Sequence, residues 1–245
     1  MYLLRELRKA AARAGARPAI VTFDAHPEEV IEGLAPPLLC DPDERLVRLE
    51  AAGIEVSVVQ HFDHALRITT YDQFVSRIAD HVDLAGFAMT PDAAFGFERR
   101  GTPEALTELG AWVGFAVSIV NSYLLDGEQV RSSEIRRRVS GGDLVGARRL
   151  LGRSLSLTGR TTDEVAGAAV RKVAFDVPVC LPPNGTYPVL IGPGWAVGVT
   201  SAPATVRGTA TVEDGSMVLD ASGAVVDGRI RILFADSPYA AESQG

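Results

Sequence analysis

The chain has 245 residues, 47% of them hydrophobic and 22% charged, which suits one large or two modest globular domains and excludes a disordered chain. With 24 Lys+Arg against 31 Asp+Glu the net charge is −7, so the basic field that gathers nucleic acid is absent, although a single nucleotide needs only a local cluster of donors. Cys40 and Cys180 share no metal-ligand spacing and no apolar run reaches membrane length; the reading therefore expects a cytoplasmic protein with no membrane contact, no disulfide and no metal site.

Residues 2–14 read as a helix with Leu3, Leu4 and Leu7 on one face and Gly15 as its stop, charged throughout and unlike a signal peptide. Arg17–Asp24 is a short apolar run ending in polar residues, as a buried parallel strand does. Asp41 and Pro42 open a helix that Gly53 closes, and Ile54–Val59 is a second strand. Thr70 or Asp72 starts the next helix, through Phe74, Val75 and Ile78. Gly86–Met89, Pro103–Gly110 and Ala116–Val120 follow as strand, helix and strand, and basic helices run from Ser132 and over Leu144–Leu151. Strands alternating with helices in this way imply a parallel α/β sheet covered on both faces.

After Gly152 the period changes. Segments 154–159, 173–179, 186–191, 195–200, 204–212 and 228–234 read as strands separated by Gly and Pro clusters, the spacing of a small closed β-barrel, and 236–245 as a frayed tail. The division expected is an α/β domain over residues 1–149 and a β-barrel over 150–245.

Three phrases invite chemistry. Asp24 and His26, in Phe23-Asp-Ala-His-Pro27, stand at the carboxyl end of a strand, the edge where open α/β sheets bind ligands; taken alone, the phrase reads first as caps of a turn before the proline. Ser132 and Ser133 open a helix with Arg136 one turn in, which suits phosphate oxygens, or they are ordinary caps with a solvated basic face behind them. Asp92, Phe95 and Gly96 belong to a loop able to lie against a planar ring or to plug the core. His61 and His64 lack a third metal ligand nearby and read as solvated loop histidines.

Taken in order, these phrases resemble the bacterial bifunctional riboflavin kinase/FAD synthetases. That family carries F-D-x-H-P (here Phe23–Pro27), P-x-x-L-x-x-x-x-E-R-L (Pro36–Leu46), F-D-x-x-L (Phe62–Leu66) and a later F-V (Phe74-Val75). Its D-F-x-F-G loop appears as Asp92–Gly96, its S-S-T-x-I-R helix start as Arg131–Arg136, and its A-x-x-L-L-G-R junction as Ala147–Arg153. The resemblance implies a Rossmann-like nucleotidyltransferase sheet followed by a riboflavin-kinase-like barrel. It also implies a first domain that transfers AMP from ATP to FMN, with Mg, to give FAD. By carry-over, Ser132, Ser133 and Arg136 would grip the ATP phosphates, while Asp24, His26, Asp92, Phe95 and Gly96 would border the flavin and nucleotide.

The chain departs from that family in two places. Met1-Tyr-Leu-Leu stands where the family's first helix is already under way, so the phrase G-x-F-D-G-x-H-x-G-H and its central strand are not in this sequence. Either neighbouring strands close up, something else fills the gap, or the natural protein starts upstream. In the barrel, Val173–Cys180 stands where G-F-P-T-A-N belongs and Gly215-Ser-Met where a carboxylate belongs, so the kinase reaction is expected to be lost. Three functions stay open: an FMN adenylyltransferase; a non-catalytic paralogue holding a flavin, a nucleotide or a partner protein; and an enzyme repurposed for another reaction on this scaffold.

Overall fold

The computed structural model describes residues 2–164, 170–195, 205–221 and 228–235. Two compact units are present: Met1–Pro36 with Arg48–Gln129, and Pro37–Val47 with Val130–Gly245.

In the first unit, helix α1 (Tyr2–Arg13) precedes strand β1 (Ala19–Phe23), which is followed by α2 (Pro27–Glu32). Helix α3 (Pro42–Ala51), through which the division between units passes, leads to β2 (Val56–Gln60), α4 (His64–Arg67) and α5 (Tyr71–Ala79). Thr70 caps α5 in a capping box with Gln73, which satisfies donors that the first helical turn leaves open. Then come β3 (Gly86–Met89), α6 (Pro103–Val113), β4 (Ala116–Ile119) and a hairpin of β5 (Leu124–Leu125) and β6 (Glu128–Gln129). Thr102 caps α6, and the helix runs three residues past the expected stop at Gly110, because Gly110 is buried against Phe115 and Gly114 supplies the left-handed end.

The parallel strands form two pairs. β1 lies along β2 with Ala19 opposite Val56 and Phe23 opposite Gln60, and β3 lies along β4 with Gly86 opposite Ala116. Among the described residues no hydrogen-bonded ladder joins one pair to the other. A core of Val75, Met89, Leu106 and Phe115 forms around the second pair, with Phe87 and Phe95 packed on it.

The second unit holds α7 (Ser132–Ser140), α8 (Leu144–Leu151) and six strands: β7 (Ser156–Glu164), β8 (Val170–Ala174), β9 (Gly185–Pro193), β10 (Val206–Glu213), β11 (Ser216–Asp220) and β12 (Arg229–Phe234). They close as a barrel in the order β10-β11-β8-β7-β12-β9. Its interior is built from Ile230, Ile232 and Phe234 of β12, where Arg231 is buried as well, and from Leu157, Ile191, Met217 and Leu219 of other strands. Strand β11 lies in a stretch that the sequence reading left without a strand. Of the strand expected over 195–200, Trp195 is described as irregular and 196–200 lie outside the described residues, as does the tail 236–245.

Segment Pro37–Val47 joins this unit through specific contacts. Leu38 pairs with Val179, its N–H donating to the Pro178 carbonyl at 2.8 Å. Asp41 caps α3 by accepting from the N–H groups of Asp43 and Glu44, and it also receives both contacts of an Arg229 Nη2 group at 2.8 Å. Arg229 contacts Asp43 through its other terminal nitrogen.

Candidate functional site

Because β1 and β2 are parallel and in register, the chain leaves both at one edge, so Asp24 and His61 arrive side by side although 37 positions apart. One oxygen of Asp24 accepts the N–H of Ala25 at 2.7 Å and of Phe62 at 3.1 Å; the other meets His61 Nδ1 at 2.7 Å. The His61 hydrogen bond, followed by the two backbone donors, holds the Asp24 carboxyl below the ordinary carboxylate range. Asp24 in turn raises His61 above its usual value of 6.5. His26 is not part of this cluster of contacts: it is the N-cap of α2, its Nδ1 accepting from the Glu28 N–H at 3.3 Å.

Next to this pair lies a pocket of about 280 Å³. Its apolar walls are Ile31 of α2, Phe62, Leu66 of α4 and Phe97, and its charged rim holds Arg67, Glu98 and Arg99. Phe62 is braced edge-on by Phe23, ring centroids 5.1 Å apart. Glu98 pairs with Arg100 at 2.6 Å, whereas Arg67 and Arg99 have no acidic partner among the described residues. The loop that carries Phe97 is tightly held: Phe95 and Gly101 exchange backbone hydrogen bonds, and the Phe97 N–H donates to Thr69 O at 2.8 Å. Gly96 has the positive φ that glycine takes freely, whereas Glu98 and Arg99 also have positive φ, a strain that such fixed surroundings sustain. A larger hollow of about 450 Å³ is lined by Arg5, Arg8, Lys9, Pro18 and Glu55. Pro18 and Glu55 immediately precede β1 and β2, so this hollow lies at the amino edge, away from where parallel sheets take ligands. The smaller pocket is the better candidate.

The other expected residues distribute as follows. Asp92 is exposed in the turn after β3. Phe95 faces inward, edge-on to Phe74 at 5.5 Å, so it plugs the core while its neighbours Gly96 and Phe97 line the pocket. Ser132, Ser133 and Arg136 belong to the second unit. There Arg131 rather than a serine stands at the N-cap position of α7, with no side-chain cap hydrogen bond, and Ser132 and Ser133 are its exposed first residues. Arg136 Nε donates to the Pro37 carbonyl at 2.7 Å, and Arg137 and Arg138 both contact Glu134. Arg137, reinforced by Arg138, draws the Glu134 carboxyl down to about 2. Its negative charge therefore occupies the first turn of α7 at all ordinary pH values.

The family model for FAD synthetase matches residues 1–134, more than half of the chain. The chain belongs to the FAD synthetase family. Similar proteins include the bifunctional riboflavin kinase/FMN adenylyltransferases of Haemophilus influenzae, 29% identical over 160 residues, and of Pseudomonas fluorescens, 28% identical over 159. Each alignment covers 64% of this chain, and 52% and 51% of the relative, so the chain spans about half the length of these relatives. The Escherichia coli K12 protein of the same name is 25% identical over 194 residues, 76% of this chain and 62% of its own. A crystal structure titled macrolide-efflux protein, from Streptococcus pneumoniae, shares the fold with a TM-score of 0.77 at 20% identity, over 95% of this chain and 79% of that one.

The FAD synthetase match takes in Asp24, His26, Asp92, Phe95, Gly96, Ser132 and Ser133 and stops before Arg136. The sequence singled out neither Arg67 nor Arg99; it offered His61 only as a solvated loop histidine, and Phe97 only as part of the aromatic loop from Asp92 to Gly101. The available signal was topological: residues that follow two adjacent parallel strands must converge, which makes His61-Phe62 the counterpart of Asp24. The barrel agrees with a riboflavin-kinase-like second domain in architecture. Neither Cys40 nor Cys180 is joined in a disulfide. No helix among the described residues is long and apolar enough to cross a membrane.

Proposed function

We propose that the first unit binds a flavin phosphate and that the chain acts as an ATP:FMN adenylyltransferase, in the cytoplasm, where both substrates are found. The observation that carries this reading is the pocket at the carboxyl edge of β1 and β2. Phe62, Ile31, Leu66 and Phe97 suit a flat aromatic ring, and Arg67 and Arg99, without acidic partners among the described residues, suit its anionic side chain. In the reaction an FMN phosphate oxygen attacks the α-phosphorus of ATP; the new P–O bond forms as the bond to the β-phosphate breaks, and pyrophosphate leaves. The protein's share in such a displacement is positioning and charge neutralisation. Mg²⁺ carried on the ATP phosphates would add to that charge neutralisation. We assign the barrel no kinase activity, since Val173–Cys180 lacks the threonine and asparagine of the family phrase.

The contacts of α7 favour a second reading, that of a flavin- or nucleotide-binding protein without turnover. There the Arg136 Nε–H, Arg137 and Arg138 are engaged by protein groups, and Glu134 places a carboxylate beside Ser132 and Ser133. One experiment separates the two. The chain is incubated with FMN and Mg-ATP and assayed for FAD, in parallel with calorimetric titrations of FMN and of ATP. FAD formation supports the transferase; FMN binding without FAD supports the second reading; neither binding nor product overturns both. Riboflavin with Mg-ATP should give no FMN.

A further inference from the structure

We infer that Asp24 is a positioning residue and that His61, held by it, contacts a phosphate-type anion of the ligand through Nε2. The inference rests on the pocket reading above and adds to it a residue that the ligand touches. The geometry is that of an oriented imidazole. Asp24 is fixed by its own backbone, whose N–H donates to Gln60 O at 3.3 Å, and by the Ala25 and Phe62 N–H groups on its carboxylate. Only its remaining oxygen meets the ring, at Nδ1. A carboxylate at that distance requires Nδ1 to carry a proton, in the neutral ring as in the charged one. Nε2 is therefore an acceptor in the neutral ring and a donor only in the imidazolium. The side chain of His61 is 71% exposed, and Nε2 has no partner among the described residues. Phe62, the next residue, is a wall of the pocket, so the same carboxylate fixes both the wall and the ring beside it.

Other charges at this edge do not cancel the contact. Helices α2 and α4 pack on one another here. From α2 come His26, Glu28 and Glu29; from α4 and its cap come Asp63, His64 and Arg67. The Asp63 carboxylate accepts the Leu66 N–H at 2.8 Å, and Arg67 and Arg99 add positive charge at the adjoining rim. An anion bound at Nε2 should accordingly be held at low pH and released as pH rises through the elevated titration of His61.

The test is an NMR titration of the histidine rings in the full chain, with and without pyrophosphate and then FMN, His61 being assigned through H61Q. The expected result is a rise of about one pH unit in the His61 midpoint with pyrophosphate, equivalent to about tenfold tighter binding to the charged ring. D24N should lower the midpoint and remove most of that rise, and H61Q should flatten the pH dependence of pyrophosphate affinity. A clip between two turns would show none of these anion effects. FMN binding that leaves the His61 midpoint unmoved by either ligand overturns the inference while the functional reading stands. A pyrophosphate shift in a chain that binds neither FMN nor ATP supports the anion contact and sinks the functional reading instead. A midpoint unmoved by pyrophosphate, whatever else binds, overturns the inference.

Discussion

Gly96→Val should cost the first unit about 3 kcal/mol in urea denaturation and remove flavin binding with it. Two effects combine. Gly96 sits at φ +75°, where a β-branched residue is strained, and a Cβ there would lie 2.6 Å from the Tyr71 backbone nitrogen and 2.8 Å from its Cα. Backbone at the head of a capped helix cannot give way as the tip of a side chain can. Gly114→Ala is the control: its φ of +99° is also unfavourable to alanine, but nothing stands within 4 Å. It should cost only about 1 kcal/mol and leave the pocket unaffected. Equal losses for the two variants would mean that contact between the Phe95–Gly101 loop and Tyr71 contributes nothing to stability.

Arg153→Met is expected to destabilise the second unit by about 3 kcal/mol, since one partner of a buried ion pair is removed and the other left in place. Glu44 is fully buried, and Arg153 Nη1 lies 3.7 Å from its carboxylate. The same guanidinium donates to Ser154 O at 3.0 Å and to Leu39 O at 3.1 Å, so its loss also loosens segment 37–47. The double variant Glu44→Leu/Arg153→Met should recover more than half of the loss, because the stranded charge goes with it. Guanidinium melts of these two variants, the unaltered chain and Glu44→Leu alone form a double-mutant cycle; strict additivity would show that Arg153 does not compensate the Glu44 charge.

Much of this was legible in the residues alone. Caps, stops and periodicity act over a few positions, which is why Asp41, Thr70 and Gly152 mark real helix ends and why the change from helical alternation to short strands near Gly152 is plain, whereas Gly110 read as a stop that Gly114 in fact supplies. Short or irregular features were harder. Helix α2 has six residues and α4 four, too few to show a period, and the turn at Asp214-Gly215, with strand β11 after it, was not read as structure from the sequence. His61 looked solvated, and in exposure it is; what it lacked in the sequence was the neighbour that a parallel register supplies.

The order of motifs from Phe23 to Arg153 carried the family, and the family match and the barrel agree with it. Those are properties of local sequence, since each phrase keeps its meaning wherever the rest of the chain goes. Only tertiary structure decided how the candidate residues are used: Asp24 with His61, Phe95 in the core with Phe97 at the pocket, Arg136 on the Pro37 carbonyl 99 positions away. Such contacts are made between segments far apart in the chain. They depend on strand register and on which charges packing removes from water, and no local pattern encodes either.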